Sequence, residues 1–244
     1  MTNRERGAVL VTGASRGIGA AVARMFAERG ADVIINYRSK AARADEVAAQ
    51  VRAAGGRATP AQADLTSQPE RAAMAALVAA QHGSLAYLVL NASGGLEKDK
   101  PADYAMAINL TAQVATLDAL LPLLAPHSTV VFVTSHWAHF YGQQPVMAAY
   151  EPVAASKKAG EDALRVRIGE LAARGIRLLV VSGDVIDGTI TPRLLDRAQP
   201  GVVAQRREQT GHLPTIDEFA AAIVDAALDA TLPSGHTVYI GSTA

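Results

Sequence analysis

The chain has 244 residues, 50% of them hydrophobic, and a mean hydropathy of +0.14, which is ample apolar material for one large buried core. Lysine plus arginine (23) balances aspartate plus glutamate (23), so no general field steers the protein onto nucleic acid or an anionic membrane, and any anionic ligand needs a local site. The absence of cysteine excludes disulfides and thiolate metal sites.

No histidine spacing suits a metal, so none is expected. The start MTNRERGAVLVTG is unlike a signal peptide. No apolar stretch approaches the roughly 18 residues that span a bilayer, and a cytoplasmic location is the expectation.

Short β-branched runs alternate with alanine-rich segments along nearly the whole length. That is the pattern of β-α units in a parallel sheet. Strands are predicted at 8–12, 32–36, 59–63, 86–91, 130–134, 177–182 and 237–240. Helices are predicted at 17–29, 41–54, 69–81, 101–124, 152–174 and 216–230, with Pro69, Pro101 and Pro152 in first-turn positions. The expected fold is a single doubly wound α/β domain of the Rossmann kind over 1–244, its ligand outside the C-terminal ends of the strands. The stretch 187–214 breaks the rhythm with three prolines and clustered arginines. It reads either as an insertion covering the ligand crevice or as a surface excursion.

After the first strand comes Thr12-Gly13-Ala14-Ser15-Arg16-Gly17-Ile18-Gly19. Glycines let backbone approach a pyrophosphate, and the helix opening inside the run offers unpaired amide hydrogens to the anion. The second strand ends in Asn36-Tyr37-Arg38-Ser39-Lys40, with no carboxylate for a ribose 2′-hydroxyl. Arg38 and Arg16 can instead clamp a 2′-phosphate, helped by Ser15 and Ser39. NADP(H) is therefore the expected cofactor.

These motifs resemble the short-chain dehydrogenase/reductase family over essentially the full chain. The resemblance implies that Asp64-Leu65 lies beside the adenine ring. Asn91-Ala92-Ser93-Gly94 is a partial match to a segment that supports sheet and cofactor. It further implies an active site of Asn109, from Ala-Ile-Asn-Leu; Ser135, from Val-Thr-Ser; and Lys157, from Ala-Ser-Lys-Lys-Ala. In Gly183-Asp184-Val185-Ile186-Asp187-Gly188-Thr189, Val185 and Thr189 are the cofactor candidates, with Asp184 and Asp187 as loop caps. Family members commonly pair, so a homodimer or homotetramer is implied.

The departure is Val153, four before Lys157, where the family's phenol would stand. Valine has no proton to give. Tyr150 rescues the idea, because positions seven apart on a helix differ by only about 20° and about 10 Å along the axis. Tyr-x6-Lys is similar to the spacing in enoyl-acyl-carrier-protein reductases, a branch of the same family. Between Ser135 and Tyr150 lies His136-Trp137-Ala138-His139-Phe140-Tyr141. His136, Trp137 and Tyr141 are candidates for a substrate wall, and His136 or His139 is an alternative proton donor. Three readings stay open: an NADPH-dependent reductase of an activated C=C bond in an enoyl thioester or enone, a ketoreductase of a 3-oxoacyl or other carbonyl, and a non-catalytic NADP(H) sensor.

Overall fold

The computed structural model describes residues 7–97 and 100–243. Residues 1–6, on which the signal-peptide reading partly rests, lie outside them. Seven parallel strands form one sheet: β1 (Ala8–Val11), β2 (Asp32–Tyr37), β3 (Ala58–Gln62), β4 (Leu85–Leu90), β5 (Leu124–Ser135), β6 (Arg177–Gly183) and β7 (Thr237–Ile240). The order is β3-β2-β1-β4-β5-β6-β7. It reverses direction beside β1, which opens a crevice at the strands' C-terminal ends.

Strand side chains alternate between two buried layers. Val9, Val11, Val33, Ile35, Val131 and Val181 pack with α1 (Gly17–Glu28), α2 (Ala41–Ala53) and α10 (Ile216–Leu228). Leu10, Ile34, Leu88, Leu90, Val130 and Phe132 face the opposite layer. That layer holds α3 (Gln68–His82), α4 (Tyr104–Leu123), α6 (Glu151–Arg165) and α7 (Ile168–Ala173). With both faces covered, the strands read as continuous apolar runs, which is why they were found in the sequence to within a few residues, β5 excepted.

Several expectations need correction. The helix containing Pro101 begins only at Tyr104, whose amide donates to the Pro101 carbonyl, so this proline precedes the helix. The helix predicted over 152–174 is two helices, α6 and α7, broken at Val166 and Arg167. The irregular stretch 187–214 contains two helices, α8 (Ile190–Ala198) and α9 (Val202–Thr210). One helix, α4, is after all long and apolar enough to cross a membrane, at 20 residues and a mean hydropathy of 1.3. It packs against α3 and α6 and buries the polar side chains of Asn109, Gln113 and Thr116 within the fold.

Within α4, residues Ala107–Thr111 form a π turn. The wider turn carries Asn109, whose carbonyl oxygen lies where a Cβ on Gly160 of α6 would come within 2.1 Å. Only glycine there lets the two helices approach this closely.

Candidate active site

The glycine loop follows β1 and is held from below. Gly13 and Gly17 have φ of +63° and +56°, which favours glycine. Asn36, buried at the end of β2, accepts from the Gly13 amide and donates to the carbonyls of Ala61 and Ala63. The Thr12 hydroxyl accepts from the amides of Asn91 and Ala92. At Gly19 a Cβ would meet Asn91 Nδ2 and the Gly13 oxygen at 2.7 Å each, so the loop packs as tightly as glycine allows. Asn36 and Thr12 were read only as members of their motifs, with no supporting role assigned.

The loop's outer side is open, since a Cβ on Gly17 would meet nothing within 4 Å. Helix α1 starts there, after Arg16, with no side chain capping its first amides. Free amides and an open glycine face suit the pyrophosphate of a dinucleotide. Ser15 is half-buried, while Arg16, Arg38 and Ser39 are exposed. Leu65 is buried. Burial opposes ionisation of Asp64, but two hydrogen bonds from Thr66 and the charges of Arg38 and Lys100 hold its carboxyl below the usual range.

A cavity of about 150 Å³ lies beyond the ends of the strands. Its wall brings together ten of the sequence candidates, drawn from five segments: Ile18; Asn91 and Ser93; Ser135, His136 and Trp137; Tyr150 and Lys157; Val185 and Thr189. Thr134, Asp184, Ile186, Thr191 and Phe219 also line it and had not been assigned to it.

Tyr150 is the residue before α6 and is 6% exposed. Its hydroxyl lies 3.1 Å from Ser135 Oγ, and the Trp137 ring meets its ring edge-on at 5.3 Å. Burial raises the phenol's pKa and the Ser135 contact opposes the rise, so the phenol holds its proton at neutral pH. Lys157 is 8% exposed. Among the described residues it has no ion-pair partner, and burial lowers its pKa from 10.5 to about 8. The seven-residue spacing thus places phenol and ammonium on one cavity.

Val153 is 3% exposed and absent from the cavity wall. It packs into the loop after β4, where a Cβ on Gly95 would touch its Cγ2 at 3.1 Å.

Asn109 does not line the cavity. Its side chain donates to the Gly94 carbonyl and to Ser156 Oγ and accepts from the Gly94 amide, tying the loop after β4 to α6. Tyr141 is also off the wall of this cavity, and its hydroxyl donates to Glu151. His139 spends both ring nitrogens on Glu161 and the Tyr239 hydroxyl, away from the cavity, which removes it as a proton donor. His136 lines the wall but is buried, with Nδ1 2.8 Å from Ser182 Oγ; burial lowers its pKa and favours the neutral ring. Asp184 and Asp187 each accept from the next residue's amide, as loop caps do. They also pair with Arg206 and Arg207 of α9, which fastens α9 to the end of β6.

The profile of the short chain dehydrogenase family matches residues 7–198. The chain belongs to the short chain dehydrogenase family. It is an oxidoreductase of that family. The cis-4-hydroxycyclohexanecarboxylate dehydrogenase of Sinomonas cyclohexanicum is 34% identical over 93% of this chain and 90% of its own. The 1-cyclohexenylcarbonyl-CoA reductase of Streptomyces collinus is 32% identical over 73% of this chain; the match spans 64% of that relative, just under two thirds of its length. Among solved structures, the angucycline C-6 ketoreductase LanV with bound NADP superposes with a TM-score of 0.78, at 26% identity over 97% of this chain and 95% of its own.

Proposed function

We propose that this short chain dehydrogenase is an NADPH-dependent reductase of an activated C=C bond, in an enoyl thioester or an enone, with Tyr150 as the hydrogen-bond donor to the substrate carbonyl. The observation that carries the reading is the Tyr150 hydroxyl beside Ser135 Oγ, on the same wall as Lys157, while Val153 is packed elsewhere. The glycine loop and the uncapped start of α1 would hold the pyrophosphate, and Arg38 with Arg16 the 2′-phosphate. A bound nicotinamide supplies the hydride.

Hydride adds to the β-carbon as the C=C π bond gives way, negative charge gathers on the substrate's carbonyl oxygen, and a proton from solvent on the α-carbon completes the reduction. The neutral Tyr150 phenol donates to that oxygen, and Ser135 fixes the phenol's direction. The protonated Lys157, buried on the same wall, lowers the energy of the anion. Asn109 acts through the backbone: it shapes the loop after β4 and sets its distance from α6. Thr189 and Thr191, at the start of α8, reach the cavity wall, and Arg206 and Arg207 pin α9 to the loop after β6 beside it. The likeness to a cyclohexenylcarbonyl-CoA reductase supports the C=C class.

Ketone reduction is the second reading. The same Ser135 and Tyr150 pair can protonate an alkoxide, and the likeness to LanV favours it.

NADPH oxidation with crotonyl- and acetoacetyl-thioesters separates the two classes. Tyr150→Phe is expected to lower kcat by about 100-fold or more with whichever class turns over. Unchanged kinetics in this variant would remove Tyr150 from the mechanism.

A further inference from the structure

The end of β2 and the start of α4 meet at a contact 66 residues apart in sequence. Arg38 Nη1 donates to the Tyr104 hydroxyl at 2.6 Å. The backbone of Arg38 is held as well, since Gln62 Nε2 donates to its carbonyl. The Tyr104 ring is also held beside its hydroxyl, where its edge fills the space that a Cβ on Gly94 would need, 2.8 Å away. The Lys100 ammonium lies over the same ring, 5.1 Å from its centre.

The lack of a close carboxylate on either cation at this corner points to an anion. Among the described residues, neither Arg38 nor Lys100 has a carboxylate within ion-pair distance. Two acids lie nearby, Asp64, which directs one oxygen to the amide and hydroxyl of Thr66, and Glu97, which accepts from the Gly95 amide. Burial raises the Tyr104 pKa, which keeps the phenol protonated. A phenol that accepts from an arginine still has its own proton to give, and a guanidinium with one N–H engaged has four more.

We propose that Tyr104 is a positioning and specificity-determining residue for the 2′-phosphate of the cofactor: it holds the Arg38 guanidinium in place and, with Lys100, completes a three-group anion site. This rests on the NADP(H) reading above. The arrangement is a local nest of donors at the site where a dinucleotide's adenosine ribose is recognised in this topology. Preorganised donors bind an anion better than an arginine that must be ordered on binding.

The test compares wild type, Tyr104→Phe and Arg38→Ala with NADPH and NADH, and measures binding of adenosine 2′,5′-bisphosphate and of 5′-AMP by calorimetry. Phenylalanine keeps the ring against Gly94 and removes only the hydroxyl. Loss of one hydrogen bond at a charged partner is expected to raise the NADPH KM about tenfold or more. The NADH KM should move less than twofold, and binding should weaken for the bisphosphate alone. An equal rise for both cofactors would mean a merely structural role and overturn the proposal. No change in Tyr104→Phe, with Arg38→Ala selectively weakening NADPH, would overturn it too and leave the NADP(H) reading standing. If Arg38→Ala also fails to discriminate, both fall.

Discussion

Replacing Lys157 with methionine separates what this side chain does for chemistry from what it costs the fold. Lys157 is 8% exposed, and burial lowers its pKa from 10.5 to about 8. A drop of this size, at about 1.4 kcal/mol per pH unit, corresponds to about 3 kcal/mol of destabilisation from holding the charge inside the protein. Below pH 8 folded and unfolded chains both carry the proton, and the whole cost is present. Between pH 8 and 10.5 the unfolded chain binds a proton that the folded one has released, so the native protein gains stability as pH rises. Methionine is apolar and of similar length. Lys157→Met should therefore be more stable than wild type at pH 7 by about 3 kcal/mol, with the difference shrinking toward pH 10.5. Urea denaturation of both cofactor-free proteins at pH 7, 8, 9 and 10 measures this directly. A methionine variant less stable than wild type at pH 7, or an advantage that does not shrink with pH, would refute the reasoning. The gain in stability should come with loss of turnover, a trade expected where a buried charge serves function.

Two further outcomes concern the helix that carries Lys157 and follows Tyr150. Val153→Tyr puts a phenol at the family's usual position but into a filled space against Gly95, so it should destabilise by about 1–3 kcal/mol in a thermal melt and should not restore turnover to Tyr150→Phe. Gly160→Ala drives a Cβ to within 2.1 Å of the Asn109 carbonyl and should cost about 3 kcal/mol in denaturant titration, whereas alanine at Gly169, where a Cβ meets nothing within 4 Å, should be neutral or stabilising.

Much of the scaffold was legible because it depends on local chemistry. Strands buried on both faces must be apolar runs, so β1, β2 and β6 stood out, and β7 was bounded to the residue at 237–240. The early start of β5 at Leu124 was missed, since Pro126 and His127 interrupt its apolar pattern. The break between α6 and α7 was missed because no proline or glycine marks it; Arg167 there bonds Asp118 of α4 and Glu170 of α7, one of them a partner far away in the chain. The direction of the Tyr141 ring was not legible, because nearness in sequence to Ser135 does not say which way a ring turns after the short helix α5 (His136–His139); its hydroxyl reaches Glu151.

By itself the sequence determined the parallel sheet, the glycine loop after its first strand, the lack of an acid after its second, and the spacing of Tyr150 and Lys157. Each follows from periodicity or from the conformations open to single residues. Only the tertiary structure decided that Tyr150 and Lys157 share a cavity wall while Val153 faces the loop after β4. It alone decided that Asn36 supports the glycine loop, that Arg206 meets Asp184, and that Arg38 rests on Tyr104. Those pairings join residues from 22 to 66 positions apart, and contacts at that range are set by how helices and strands pack rather than by any local pattern.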